Sequence, residues 1–302
     1  MPTKSNAGKP SNGQVLHGLG PLDGIVAHGK SRSGQTRQGI PWNVEIGDAR
    51  EVVRTLKKNH FRCVVTSPPY FWQRDYKVEG QIGLESDIQG YVDAITGVMD
   101  LVKQVLHQEG LLFLNLGDTY YSAKGQPKGQ DKKNSARRFG LRAVDASGLG
   151  VPRKTILGIP WRVALEMIKR DWILRTPIVW RRKGSLPEPT AIDRPWRTHE
   201  MLFMFSKSPK YKFFREHLAG EEDVWTIPSQ SKVTHGRYSG AFPEALVDRC
   251  LRVGCIENGA VLDPFAGSGT VLRAALRSGR PATGIDINSN LCDYVSEQLA
   301  QL

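Results

Sequence analysis

The chain has 302 residues, 39% of them hydrophobic, and a formal net charge of +12. It holds enough apolar material for a sizeable core, in one α/β domain with insertions or in two domains. No apolar run approaches the ~18 residues of a membrane span and no secretion-like segment opens the chain, so a soluble protein of the cytoplasm with no membrane partner is expected, while the charge argues for a polyanionic partner.

Residues 1–40 are rich in Gly, Ser, Asn, Lys and Gln, carry Lys4, Lys9, Lys30, Arg32 and Arg37, and are expected to form a disordered basic tail. Val44–Ile46 reads as a short strand ending at Gly47-Asp48, and Ala49–Lys58 as a helix through Val52, Val53 and Leu56. Arg62–Thr66 is a compact apolar strand. Ser67-Pro68-Pro69-Tyr70 stops it, because two successive prolines cannot continue a central strand. Tyr91, Ile95, Val98, Val102 and Val105 recur at spacings of three and four, which predicts an amphipathic helix over Tyr91–Leu106 with Gly110 as its stop. Leu111–Leu116 reads as a buried strand, Ile159–Lys169 as a helix with Pro160 in its first turn, and Trp172–Trp180 and Met201–Phe205 as strands. Phe242–Val253 reads as a helix, Val261-Leu262 as the end of a buried strand, Thr270–Arg277 as a helix and Ala282–Ile287 as a last strand. Strands alternating with helices mean an α/β domain with a largely parallel sheet.

Two stretches do not fit that sheet. Residues 119–156 carry Lys124, Lys128, Lys132, Lys133, Arg137, Arg138, Arg142, Arg153 and Lys154 against Asp131 and Asp145, and residues 181–199 carry Arg181, Arg182, Lys183, Arg194 and Arg197 beside Trp196. Arginine and lysine among flexible glycines suit phosphate contact, and a solvated charged loop has the same composition. Cys63, Cys250, Cys255 and Cys292 form no C-x-x-C pair and no His joins them at ligand spacing, so reduced structural thiols and no metal site are expected.

The candidate chemistry lies at two strand ends. Asp263-Pro264-Phe265-Ala266-Gly267-Ser268-Gly269 is a tight turn whose glycines leave bare backbone for a nucleotide-like ligand. About 20 positions past it, Asp286 is placed to accept hydrogen bonds from ribose hydroxyls. The second strand end is Ser67-Pro-Pro-Tyr70, a rigid loop of the kind on which α/β proteins carry chemistry.

With both motifs quoted, the chain over about residues 43–300 resembles the amino-group DNA methyltransferases that use S-adenosylmethionine. Asp263–Gly269 looks like that family's cofactor motif and Ser67-Pro-Pro-Tyr70 like its catalytic motif. The order, catalytic motif first and cofactor motif last, is that of the β class. Gly47-Asp48, Gly158-Ile-Pro-Trp-Arg162, His199-Glu200 and Phe242-Pro243-Glu244 add to the likeness. The resemblance implies a Rossmann-like, circularly permuted methyltransferase sheet over residues 41–302, with residues 119–156 and 181–199 as inserted DNA-recognition loops. It implies cofactor contacts at Asp48, Phe242, Pro243, Asp263, Pro264, Phe265, Gly267, Ser268, Gly269, Thr270 and Asp286. Ser67, Pro68, Pro69 and Tyr70 become the catalytic loop. Double-stranded DNA becomes the partner, with a homodimer and a cognate restriction endonuclease in prospect, on the nucleoid of a prokaryote or in a phage.

The chemistry of the residues agrees. An exocyclic base amine is a poor nucleophile because its lone pair is delocalised into the ring. The Ser67 hydroxyl and the Pro68 carbonyl are two acceptors that can draw that nitrogen toward a tetrahedral form, held ready by stiff prolines. Tyr70 offers a ring on which an unstacked base can lie, and the base must leave the duplex to expose its amine. Trp72, Arg74, Asp75 and Tyr76 either cover that base or make local packing and an ion pair, and Asp118 either lines the site or is a structural cap. Serine at the first motif position leans toward cytosine N4, with adenine N6 the alternative. Methylation of RNA or of a protein glutamine fits less well, given the motif order and the basic loops. A non-catalytic DNA-binding regulator on the same scaffold is the reading from a different class.

Overall fold

The computed structural model describes residues 30–73, 75–76, 78–121, 149–184, 188, 191–218, 220, 222–229 and 242–302. Nine strands form one sheet: β1 (Lys30–Gln35), β2 (Pro41–Ile46), β3 (Phe61–Thr66), β4 (Leu106–Leu116), β5 (Ile173–Lys183), β6 (His199–Ser206), β7 (Val224–Pro228), β8 (Val261–Asp263) and β9 (Ala282–Asp286). Their order across the sheet is β1-β2-β9-β8-β3-β4-β6-β5-β7. The five strands from β2 to β4 run parallel; β1, at one edge, and β6 pair antiparallel with their neighbours. The expected α/β class and parallel centre are present, and the outer part of the sheet is mixed.

Among the described residues six α-helices cover the sheet: α1 (Ala49–Thr55), α2 (Ile88–Val105), α3 (Ile159–Lys169), α4 (Glu244–Gly254), α5 (Thr270–Arg277) and α6 (Ser289–Leu299). Residues of α1, α2 and α3 share one core with Val64, Leu112 and Leu114, and residues of α4, α5 and α6 share a second with Cys63, Val65, Leu111 and Phe113. Side chains of β3 and β4 thus alternate between two cores, which is why both strands read as continuous apolar runs. The predicted stripe of α2 is the buried one: Tyr91, Ile95, Val98, Val102 and Val105 are all nearly inaccessible. The cysteines are buried and unpaired. Among the described residues, no helix is long and apolar enough to cross a membrane.

From β3 the chain crosses through α2 to β4 on one side, and from β8 through α5 to β9 on the other. The strand order therefore reverses between the adjacent strands β8 and β3. Open α/β sheets hold ligands at the carboxyl ends of strands at such a switch point.

Four expectations need correction. Residues 30–40 are not a tail: Lys30–Gln35 is an edge strand paired along β2, because backbone pairing does not require apolar side chains. Residues 1–29 lie outside the described residues. Gly110 does not stop a helix: α2 ends at Val105, β4 starts at once, and a Cβ on Gly110 would sit 2.7 Å from Leu106 and 3.0 Å from the Arg62 carbonyl. The glycine allows a close approach of β3 where the register shifts. The stretch 181–199 is not wholly outside the sheet, since Arg181–Lys183 end β5 and His199 begins β6, with Arg181 opposite His199. Phe242 and Pro243 precede α4 instead of starting it. Of the stretch 119–156, the ends are joined by a Tyr120–Ile156 bridge, and Lys124 through Arg142 lie outside the described residues.

Candidate active site

The carboxyl ends of β3 and β8 bring the two motifs together. Ser67 and Pro69 line the same cleft as Asp263, Pro264, Phe265, Gly267, Ser268 and Thr270. Asp286 and Asn288 from the end of β9, Gly47 and Asp48 from the end of β2, Tyr76 and Gln81 from the segment before α2, and Phe242 add further wall. The cleft encloses ≈ 1060 Å³ of empty space including its mouth, within reach of a nucleoside-sized ligand. Its described walls hold three aspartates and no lysine, arginine or histidine, on a chain of net charge +12. Such a cavity favours a cationic or neutral occupant over a phosphate.

The turn is built by its own hydrogen bonds. Asp263 Oδ1 accepts from the Phe265 amide at 3.0 Å and from the Thr66 hydroxyl at 2.7 Å. Asp286 Oδ2 accepts from the Gly267 amide at 2.9 Å and its Oδ1 from the Asn288 amide at 2.9 Å. A carboxylate has about four lone-pair sites, so Asp286 keeps capacity for further donors. Desolvation pushes Asp263, buried, up to about 7, and pushes Asp286, half-buried in the cleft wall, up to about 6. Gly267 and Gly269 both take positive φ, +51° and +74°. Glu244 at the start of α4 bonds Arg273 and Arg277 of α5 and so fixes Phe242 beside the turn.

At the other motif, Ser67 Oγ donates to the Tyr70 hydroxyl at 3.1 Å, and that hydroxyl donates to Glu200 Oε2 at 2.7 Å. Asn115 of β4 donates to the Tyr70 hydroxyl at 2.7 Å and to Glu200 at 3.0 Å. The Pro69 carbonyl accepts from Tyr91 at 2.8 Å, which pins the loop to α2. The Tyr70 ring lies against Gly117, where a Cβ would sit 2.5 Å from it. Burial is the main cause that raises the Tyr70 phenol well above its ordinary value.

Of the predicted residues, Ser67, Pro69, Asp48, Phe242, Asp263, Pro264, Phe265, Gly267, Ser268, Thr270 and Asp286 line the one cleft. Pro68, Tyr70, Pro243 and Gly269 do not. Pro243 caps α4 through its carbonyl, which accepts from Leu246 at 2.9 Å. Gly269 precedes α5, and a Cβ there would meet Val295 of α6 at 2.7 Å. The Asp48 carboxylate is committed to α1, accepting from the Arg50 amide at 2.8 Å and from its guanidinium. Asp118 caps α3: its Oδ1 accepts from the Ile159 amide at 3.1 Å and from Thr119 at 2.9 Å. Tyr76 lines the cleft, Trp72 packs by donating to the Glu85 carbonyl at 2.6 Å, and Arg74 lies outside the described residues.

Several basic residues are held internally. Arg194 pairs with Glu188 at 2.8 Å and stacks 3.8 Å from the Tyr120 ring; Arg182 pairs with Glu200 at 3.3 Å; Arg197 donates to the Asp118 carbonyl. Arg153, Arg181 and Lys183 are exposed. Sequence reasoning gave no role to Asn115, Gln81 or Asn288. Asn115 carried one signal, a polar side chain inside the otherwise apolar run Leu111–Leu116.

Comparison with known proteins agrees with this geometry. A family model described as DNA methylase matches residues 61–297. The chain is 37% identical over 262 residues to the type II methyltransferase M.Cfr9I of Citrobacter freundii, covering 84% of this chain and 86% of that one. It is 35% identical over 265 residues to the type II methyltransferase M.SmaI of Serratia marcescens, covering 84% and 89%. Among solved structures, the PvuII DNA methyltransferase, described as cytosine-N4-specific, superposes with a TM-score of 0.65 at 18% identity over 90% of this chain and 94% of that one. The complex of M1.HpyAVI with S-adenosylmethionine gives 0.55 at 16% identity over 85% and 98%. A sulfonium is a cation, and Asp286, which keeps free lone pairs in a wall without a basic side chain, fits it. The chain belongs to the N6/N4 DNA methylase family and is a DNA methyltransferase that uses S-adenosylmethionine.

Proposed function

We propose that the protein methylates the N4 amine of a cytosine swung out of double-stranded DNA. The observation that carries this reading is Ser67 in one cleft with the glycine turn and Asp286. S-adenosylmethionine, when bound, supplies an electrophilic methyl group on a sulfonium whose leaving group departs neutral. The protein's part is orientation. The Ser67 hydroxyl and the Pro68 carbonyl accept the two N–H bonds of the target amine, and the prolines hold both acceptors before the base arrives. The half-buried Tyr70 ring gives the base a face to lie on. Asp286 accepts from ribose hydroxyls with the lone pairs that Gly267 and Asn288 leave. The backbone from Asp263 to Gly267 and the Phe242 ring bound the rest of the cofactor, and Asp48 shapes its site as the cap of α1.

Serine at position 67 favours cytosine by family analogy, and the fold shared with a cytosine-N4-specific enzyme is consistent with that. The exposed Arg153, Arg181 and Lys183 are the phosphate contacts this reading selects among the described basic residues. The chain order, β3 before β8, supports a circularly permuted sheet. The type II names of the relatives support a cognate restriction endonuclease, with the protein acting on nucleoid or phage DNA. Exposed Trp161, Leu165 and Ile168 on one face of α3 support self-association, which sedimentation tests.

Mass spectrometry of nucleosides from modified DNA tests the choice of base. N4-methylcytosine is the expected product. N6-methyladenine establishes the adenine alternative.

A further inference from the structure

Asn115 is 1% exposed, and its carbonyl oxygen has no hydrogen-bond partner. Leaving such a group unsatisfied destabilises the fold, because its water is lost and nothing replaces it. Native proteins keep few of these groups, and each calls for a reason. Here the reason is visible. Turning the amide over would set the oxygen against the hydroxyls of Ser67 and Tyr70, but also against Glu200 Oε2, now 3.0 Å from the amide nitrogen. An ionised carboxylate only accepts. Glu200 therefore fixes the amide with its two N–H groups toward the Tyr70 hydroxyl and Glu200, at 2.7 and 3.0 Å, and Ser67 Oγ stands 3.4 Å from the amide nitrogen.

The same carboxylate sets the direction of the hydroxyls. The Tyr70 hydroxyl has one proton and spends it on Glu200 at 2.7 Å. Its oxygen is then left to accept, from Asn115 at 2.7 Å and from Ser67 at 3.1 Å. The single proton of Ser67 is drawn inward, away from the cleft that Ser67 lines. What remains for an incoming donor is lone pairs. Arg182 holds the far oxygen of Glu200 at 3.3 Å and is itself tied to the Arg197 carbonyl at 2.9 Å, so the carboxylate is anchored from behind.

We propose that Glu200 and Asn115 are positioning residues that act through the Tyr70 hydroxyl to make Ser67 an acceptor only, aimed at the amine of the target base. The inference rests on the reading of Ser67 as an amine acceptor. It separates two jobs of Tyr70, the ring and the hydroxyl, and assigns the second to the orientation of Ser67. Neither Glu200 nor Asn115 lines the cofactor cleft, so their effect falls on turnover and spares cofactor binding.

The test compares the full-length protein with Glu200→Gln, Tyr70→Phe, the double variant and Ser67→Ala. The readouts are methyl transfer from radiolabelled S-adenosylmethionine to unmodified DNA, cofactor affinity by calorimetry and melting temperature. Glu200→Gln and Tyr70→Phe are each expected to lower kcat about 10- to 100-fold. Cofactor Kd should stay within about twofold, and the double variant should be no slower than the slower single, because both changes cut one chain. Should Glu200→Gln fail to fold, Tyr70→Phe decides alone, since it leaves Arg182 and Asn115 on Glu200. Wild-type kcat in both single variants, or multiplying losses in the double, overturns the proposal. A fully active Ser67→Ala overturns the reading of Ser67 itself. An inactive Ser67→Ala beside fully active Glu200→Gln and Tyr70→Phe defeats only the positioning role.

Discussion

The hydroxyl of Thr66 donates a 2.7 Å hydrogen bond to Asp263 Oδ1 across 197 positions of sequence. One residue ends the strand that carries the catalytic loop, and the other opens the glycine turn. The bond joins the two halves of the site at the switch point of the sheet. Thr66→Val keeps the shape and removes the donor. Asp263 then loses a partner while still buried, and its carboxyl, already pushed up to about 7, rises further. We predict a loss of about 1–3 kcal/mol in unfolding free energy at neutral pH. Weaker cofactor binding should accompany it, and denaturant titration and calorimetry measure the two.

Asp286 gives the site a pH dependence. Its folded value of about 6 lies above the ordinary 3.8, so the folded protein without cofactor binds more protons than the unfolded chain between those values. Stability from this group is present below about pH 4 and is lost as pH rises through about 6. Asp263 extends the same trend to about 7. Cofactor binding has the opposite sign, because the ionised carboxylate is the better acceptor for ribose hydroxyls and the better neighbour for a sulfonium. Affinity should be flat above about pH 7 and fall by up to about tenfold per pH unit below about 6. Calorimetric titrations from pH 5 to 8 read this directly, and Asp286→Ala should weaken binding and remove the Asp286 part of the slope.

The helices and central strands were legible because their signals are local. The spacing of Val98, Val102 and Val105 gave α2, and the apolar run Arg62–Thr66 gave β3. Helix α6 lies beyond the last expected element, Ala282–Ile287, and was missed, although Asn288 before Leu291, Val295 and Leu299 carries the same kind of signal, a capping residue followed by spacings of four. The juxtaposition of Ser67 with the glycine turn came only from resemblance, since spacing along one chain does not bring positions 67 and 267 together. The internal partners of Arg182, Arg194 and Arg197 were hidden for the same reason: an arginine that meets a phosphate and one that meets Glu188 have the same sequence context. The edge strand Lys30–Gln35 escaped because its stability comes from the backbone of β2 and not from its own side chains.

Asp118 illustrates a residue whose place beside the site and whose role differ. It follows β4 next to the Tyr70 platform, yet its carboxylate holds the first turn of α3 and the Thr119 amide. Gly158, at φ +68°, offers no side chain to cap that helix. Asp118→Ala should therefore cost about 1 kcal/mol of stability, as loss of a helix cap does. Cofactor affinity should not change. A calorimetric Kd that rises several-fold without any shift in melting temperature would move Asp118 from the scaffold into the site.

The two glycines of the turn should separate by the same pair of measurements. At Gly269 an added Cβ would stand 2.7 Å from Val295 Cγ1 and the backbone is at φ +74°. Alanine there meets both the left-handed penalty of about 1–2 kcal/mol and a wall formed by α6. At Gly267 the nearest atom to an added Cβ is the Phe265 carbonyl at 3.8 Å, at φ +51°, and the residue lines the cleft. Alanine there carries the conformational penalty alone and intrudes on the space for the ligand. Gly269→Ala is expected to lower the melting temperature more, and Gly267→Ala to weaken cofactor binding more relative to its loss of stability. If the order is reversed in both measurements, Gly269 is the ligand contact and Gly267 the packing residue, and the assignment of the turn has to be exchanged.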